Sequence, residues 1–173
     1  MGGGIGALSY TLLKHSNAFL DIYEDNEFCR RELKKNLAEF EGRFQIIDTY
    51  RMLPPGKYYG VVVIDGGNGL VGDGGYPLAA QLFLEYLDSV DAVYIEGYRG
   101  LQRDLVRRAL QKKYVCAFRV HKQIYVQGKK WVGGLEVRCK RSHSAIARWL
   151  DFMFWETLVF TRKYYFKVRG WFS

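Results

Sequence analysis

Apolar positions along the 173-residue chain switch repeatedly between helical and strand spacing, and the switches predict the elements. Ala7-Leu8-Ser9-Tyr10-Thr11-Leu12-Leu13 carries apolar side chains at helical intervals, and the short run Ala18-Phe19-Leu20-Asp21-Ile22-Tyr23 has strand character. Glu27 to Leu37 returns to amphipathic helical spacing, and Arg43-Phe44-Gln45-Ile46-Ile47-Asp48 predicts another short strand. Tyr58-Tyr59-Gly60-Val61-Val62-Val63-Ile64-Asp65 is a continuous apolar, β-branched run, as in a strand buried on both faces of a parallel sheet. Six glycines within residues 66–75 predict a long loop, and Pro77 suits the first turn of a helix reaching about Leu87. Asp91 to Glu96 predicts a further strand, and Leu101 to Lys113 a basic amphipathic helix.

The last third changes character. Tyr114 to Val126 alternates imperfectly, Gln127-Gly128-Lys129-Lys130 predicts a turn, and Leu135-Glu136-Val137-Arg138-Cys139 a final strand. Two adjacent strands joined by a turn imply an antiparallel pair on an otherwise parallel sheet. The whole alternation predicts an α/β fold, a Rossmann-like, mostly parallel sheet with helices on both faces and a C-terminal antiparallel hairpin. Ligands of such sheets bind at the carboxyl ends of the strands. Glu24, Asp48, Asp65 and Glu96 all fall at predicted strand ends.

Residues 142–173 read as an extension of a domain spanning 1–141. Ala145 to Phe160 is a plausible helix, with positions 146, 149, 150, 153, 154, 157 and 158 on one apolar face, while Phe152, Trp155, Val159 and Phe160 spread beyond it. Arg162 to Phe172 mixes cations with aromatics and is too interrupted by charge for a membrane span. Three uses fit this tail: a cover for the sheet or a homo-oligomer contact, a peripheral helix on anionic membrane, or a platform for single-stranded nucleic acid.

Composition narrows the classes. At 49% hydrophobic residues the chain is globular rather than disordered. Three widely spaced cysteines, with no CxxC pair, indicate neither a disulfide framework nor a zinc knuckle, and point to a reducing, cytoplasmic setting. The first residues lack a basic segment followed by an apolar one, so no secretory signal is expected there. The net charge of +8 is uneven: residues 1–100 hold 9 Lys and Arg against 14 Asp and Glu, a balance of −5, while residues 101–173 hold 17 against 4, a balance of +13. An anionic partner for the second half satisfies that asymmetry, whether nucleic acid, lipid or a phosphorylated small molecule.

The candidate chemistry starts at the first residues. Met1-Gly2-Gly3-Gly4-Ile5-Gly6 opens directly into the first predicted helix. Glycine lets a ligand approach the backbone closely, and the helix behind it offers unpaired N–H groups and a positive dipole end. Glu24, 18 residues after Gly6, stands where a Rossmann-like unit places a carboxylate against ribose hydroxyls. A capping role for the next helix is the competing use of Glu24, though Asp25 or Asn26 can fill it. His15, His121 and His143 are isolated in sequence and expected at surfaces or helix ends.

Taken in order, these residues resemble a class I S-adenosylmethionine-dependent methyltransferase of the small O-methyltransferase-like kind, over residues 2–141. Gly2-Gly3-Gly4-Ile5-Gly6 is similar to the family's first motif, Tyr23-Glu24-Asp25-Asn26 to its acidic second-strand motif, and Val63-Ile64-Asp65-Gly66-Gly67 to its fourth-strand motif. Glu96-Gly97-Tyr98-Arg99 resembles the segment after the fifth strand. The family's first strand, which lies centrally in the sheet ahead of the glycines, has no counterpart here. The resemblance implies S-adenosylmethionine as cofactor, with Gly2, Gly4 and Gly6 facing its methionine part, Glu24 on the ribose diol and Asp48 near the adenine. It places Asp65 at the methyl-transfer end, contacting the cofactor's amino group or the substrate, and makes Asp65 and Glu96 the candidate catalytic bases or metal ligands, with no metal assigned.

The acceptor expected on this reading is a small molecule or glycan methylated at oxygen, with nucleic acid an unlikely partner because no Asn/Asp-Pro-Pro-Tyr type motif occurs. Two alternatives stay open: an NAD(P)-dependent oxidoreductase or epimerase, and a non-catalytic, degenerate methyltransferase-like binding module.

Overall fold

The fold begins from a glycine turn. In the computed structural model Gly6 caps the helix α1 (Ala7–His15) with φ of 99°, a left-handed conformation that a side chain would strain. The structure describes residues 4–48, 57–64, 89–96, 100–121, 124–126, 129–131 and 133–169. The expected helix from Pro77, the loop over 66–75, and the positions Gly2, Asp65, Gly97, Tyr98 and Arg99 lie outside them.

After α1 come β1 (Leu20–Tyr23), α2 (Glu27–Asn36), a 3-10 turn (Ala38–Phe40) and β2 (Phe44–Ile47). The Asn26 side chain caps α2 by accepting from the Cys29 N–H at 3.1 Å, which leaves Glu24 to another role. β1 and β2 pair in parallel, from Leu20 against Phe44 to Tyr23 against Ile47. Alternation sends Ile22 to one face, where it packs with Leu13 of α1 and with Leu33 and Leu37, all buried. Each such burial stabilises the fold by about 1.5–3 kcal/mol.

The second sheet consists of β3 (Tyr58–Ile64), β4 (Ser89–Glu96), β5 (Tyr114–His121) and β8 (Gly134–Arg141), in the order β3-β4-β8-β5. β3 and β4 are parallel, and β8 runs antiparallel to both its neighbours, so it alone is reversed. The helix α3 (Gly100–Gln111) packs Val106, Ala109 and Leu110 onto Val93, Ile95, Leu135 and Val137. This is the Rossmann-like α/β arrangement expected from the sequence, with two refinements. Of the strand expected over 114–126, Tyr114–His121 belongs to β5 in the four-stranded sheet, whereas β6 (Ile124–Val126) pairs antiparallel with β7 (Lys129–Trp131) in a small sheet of its own. β8 inserts between β4 and β5, because its apolar residues Leu135 and Val137 are buried by neighbours on both sides.

Among the described residues no backbone ladder joins the β1–β2 pair to the four-stranded sheet. Side chains join the two sheets instead. Tyr23 and Ile47 pack with Val62 and Ile64, and the Tyr23 hydroxyl meets that of Tyr59 at 3.3 Å. The Asp21 carboxylate, with 1% side-chain exposure, accepts from Gln45 at 2.7 Å and from both the Lys57 ammonium and the Tyr59 hydroxyl. Burial, reinforced by that bond to Asp21, pushes the Tyr59 phenol well above its ordinary pKa.

The last helix, α4 (Ala145–Arg169), has 25 residues and outruns the expected end at Phe160, since neither Pro nor Gly interrupts it before Gly170. One side docks on the domain: Trp155 stacks edge-on against Phe118 with centroids 4.4 Å apart, and Asp151 accepts from the Gln111 amide and the Cys116 N–H. Arg107, itself buried, reaches Asp104, Gln111 and Glu156, so α3 holds α4 through charge. Burial works against the Arg107 charge, but Glu156 and Asp104 outweigh it and hold its pKa above the usual value. The opposite side of α4 exposes Ile146, Leu150, Met153 and Phe154, and Trp149, also exposed, stands at its edge next to α3. No helix among the described residues is long and apolar enough to cross a membrane.

Candidate functional site

The glycine turn and Glu24 form one hydrogen-bonded unit. β1 ends at Tyr23, so Glu24 follows directly, with its own N–H donating to the Ile47 carbonyl at 3.0 Å. Its carboxylate turns back toward the N-terminal loop. Oε2 accepts the Gly4 N–H at 2.7 Å and Oε1 accepts the Asn26 N–H at 2.9 Å. Glu24 is only 5% exposed, and a buried carboxylate persists only when hydrogen-bonded in this way. Each carboxylate oxygen has a second lone pair, so both can still accept from a ligand hydroxyl.

The loop is shaped by its glycines and fixed by α2. Gly4 (φ 51°) and Gly6 (φ 99°) both adopt left-handed conformations. A Cβ on Gly6 would sit 2.9 Å from Leu33 Cδ2, whereas one on Gly4 would meet nothing within 4 Å. Gly6 therefore lets α1 close onto α2, and Gly4 faces open space beside the Glu24 carboxylate. The Asn36 amide donates to the Ile5 carbonyl at 2.8 Å, tying the turn to α2 from its far end. The first helical bond of α1 runs from the Tyr10 N–H to the Gly6 carbonyl, leaving earlier N–H groups directed at the loop. Arg30 braces the other side by donating to the carbonyls of Glu24 and Asp25.

Of the residues expected at a site, Gly4, Gly6 and Glu24 are brought together. Asp48 follows β2 as Glu24 follows β1, and the Tyr23–Ile47 register puts it at the same end of this pair, where it is exposed. Glu96 ends β4 in the other sheet, half-buried, with Gly134 as its register partner. Gly2 and Asp65 lie outside the described residues. Among those described, no cluster of three or more His, Cys, Asp and Glu could hold a metal.

One constellation escaped the sequence. His121, read there as isolated, lies on β5 with its Nε2 2.9 Å from Glu136 Oε2 of β8, and Arg138 Nε donates to Glu136 Oε1 at 2.7 Å. The Arg138 and His121 contacts hold the Glu136 carboxyl below its usual range. Tyr94 lies beside it, its ring 5.7 Å from that of His121. Gly134 is close to the same ring: a Cβ there would fall 2.4 Å from the Tyr94 hydroxyl. The signal was the 114–121 and 134–141 pairing, which no local pattern specifies.

No protein-family model and no curated protein matches the chain. Solved structures do resemble it. A candidate RNA methyltransferase from Pyrococcus horikoshii superposes with a TM-score of 0.59 at 19% identity, covering 83% of this chain and 72% of its own. A candidate methyltransferase from Thermoplasma acidophilum gives 0.56 at 15% identity, over 82% of this chain and 66% of its own. A candidate tRNA (m1A22) methyltransferase from Streptococcus pneumoniae gives 0.56 at 17% identity, over 98% of this chain and 76% of its own. The chain thus has the class I methyltransferase fold that its motifs resemble. One expectation is corrected: nucleic acid cannot be set aside as a partner, since neighbours of this fold are named for RNA and tRNA. The absent base-methylation motif was a poor guide, because it speaks to one kind of target only.

Proposed function

We propose that the chain is an S-adenosylmethionine-dependent methyltransferase whose acceptor is RNA. The carrying observation is the Glu24 carboxylate bonded to the Gly4 N–H beside the N-terminus of α1, at one end of a parallel strand pair. The residues present suit the cofactor. The open side of Gly4 admits a ligand against the backbone, Glu24 has acceptor capacity for two vicinal hydroxyls, and exposed Asp48 lies within the same end of the β1–β2 pair. Bound there, the cofactor would supply an electrophilic methyl on a sulfonium. The chain's part is positioning: Gly4, Gly6 and the first turn of α1 hold the amino-acid end, and Glu24 fixes the ribose. Asp65, next in sequence after β3, and Glu96, the last residue of β4, stay as candidate bases for the acceptor's proton.

RNA is favoured over a small molecule or glycan by the +13 balance of residues 101–173 and by the names of the structural neighbours. The test is calorimetric titration with S-adenosylmethionine, S-adenosylhomocysteine and NAD⁺, followed by transfer of a labelled methyl group to total tRNA. Both sulfur nucleotides should bind, NAD⁺ should not, and Glu24→Gln should weaken binding by about tenfold or more, the worth of hydrogen bonds to a charged acceptor. A folded chain that binds neither sulfur nucleotide would refute the enzyme, and label reaching small acceptors but not RNA would refute the substrate.

A further inference from the structure

A second anionic site lies away from the glycine loop. α3 and α4 enclose a groove of about 390 Å³ lined by Arg108, Gln111, Lys112, Arg148, Trp149 and Phe152. Three segments converge at its end. The Ser142 N–H bonds the Lys113 carbonyl at 3.4 Å, and the Arg148 guanidinium donates to the Ser142 carbonyl, so the turn after α3, the end of β8 and the start of α4 are locked together. Exposed Lys140 and Arg141 stand on that same strand end. The nearby acids are turned into the α3–α4 contact: Asp104 and Glu156 hold Arg107 and Arg108, and Asp151 is taken by Gln111 and the Cys116 N–H. Lys112, Arg148, Lys140 and Arg141 add positive charge around the groove, with Trp149 59% exposed.

We propose that this groove binds single-stranded RNA, its cations following the phosphates and Trp149 stacking a base. The assignment deepens the RNA reading above and rests on it for the identity of the acceptor. Charge complementarity selects the occupant. A second copy docking through the same face would bring its own basic half against this one. An anionic membrane would engage the exposed apolar face of Ile146, Leu150, Met153 and Phe154, whereas Trp149 and Phe152 line a concave groove beside Arg108, Lys112 and Arg148.

The test uses the full chain, a fluorescein-labelled mixed-sequence single-stranded RNA and anisotropy at several salt concentrations. Lys112→Ala and Trp149→Ala are the variants, since both side chains are exposed and neither supports the core. Trp149→Ala should weaken binding about tenfold, as for loss of one stacked base. Lys112→Ala should lower the slope of log K against log salt by about 0.7, as for one lost phosphate contact. Wild-type affinity and slope in both variants would overturn the proposal. So would tryptophan quenching by phosphatidylserine vesicles, or by rising protein concentration, with none by RNA. Calorimetry with S-adenosylhomocysteine on the same variants separates the two readings. Retained cofactor binding with lost RNA binding supports the groove, and RNA binding that depends on Trp149 in a chain with no cofactor binding upholds the groove while ending the methyltransferase reading.

Discussion

Replacing Gly6 by alanine should destabilise the fold more than the same change at Gly4, and the difference is calculable. Both glycines have positive φ, 51° at Gly4 and 99° at Gly6, so alanine costs each about 1–2 kcal/mol in backbone strain. Only Gly6 adds a collision. Its Cβ would lie 2.9 Å from Leu33 Cδ2, and Leu33 is fully buried in a cluster with Leu13, Ile22 and Leu37, so its side chain must shift against packed neighbours. Overpacking of this kind costs a further 1 kcal/mol or more, about 1–3 in general. Gly6→Ala should then lose about 2–5 kcal/mol, a fall in melting temperature of about 5–15 °C for a chain of this size. Gly4→Ala, with nothing within 4 Å of its Cβ, should lose about half as much. Thermal unfolding followed by far-ultraviolet circular dichroism measures both. Equal melting temperatures for the two variants would refute the claim that Gly6 is required by the close packing of α1 on α2, and a Gly6→Ala variant as stable as wild type would refute the left-handed turn as well.

Other outcomes follow from the buried charges. Asp21→Ala should cost about 2–3 kcal/mol in chemical denaturation, because Gln45, Lys57 and Tyr59 lose their shared acceptor between the two sheets; an unchanged midpoint would show that apolar contact alone holds them. Arg107→Ala removes the buried link to Glu156 and Asp104 while Arg108 still reaches both acids, and should loosen α4 on α3, seen as faster proteolysis near residue 145 at a loss of about 1.5–3 kcal/mol. Glu136 has a depressed folded pKa, so its contribution to stability is fully present above the ordinary carboxylate range and is lost as pH falls through the folded value. An NMR titration should place Glu136 below an ordinary glutamate, and Arg138→Ala should raise it; a titration at the ordinary value in wild type would contradict the contact.

The chain's local patterns were sufficient for its first four elements and for the glycine–acid pair. Alternation at Leu20–Tyr23 and Phe44–Ile47, and helical spacing through Leu33 and Leu37, follow from which side chains must leave water, so α1, β1, α2 and β2 were legible. The 18-residue spacing of Gly6 and Glu24 sufficed to put the two at one loop. What the sequence could not decide was everything set by pairing between distant segments. Insertion of β8 between β4 and β5 depends on burying Leu135 and Val137 on both sides, and it alone makes neighbours of His121 and Glu136. The joining of the two sheets through Asp21, an acid in a strand that local pattern would have left facing water, depends on Lys57 and Tyr59 arriving from more than 30 residues away. The groove of Lys112, Arg148 and Trp149 likewise exists only because α4 folds back on α3, turning the acids inward and leaving the cations at the rim. Local propensity fixes elements one residue neighbourhood at a time, whereas burial and charge pairing choose among their arrangements, and the site chemistry comes from that second choice.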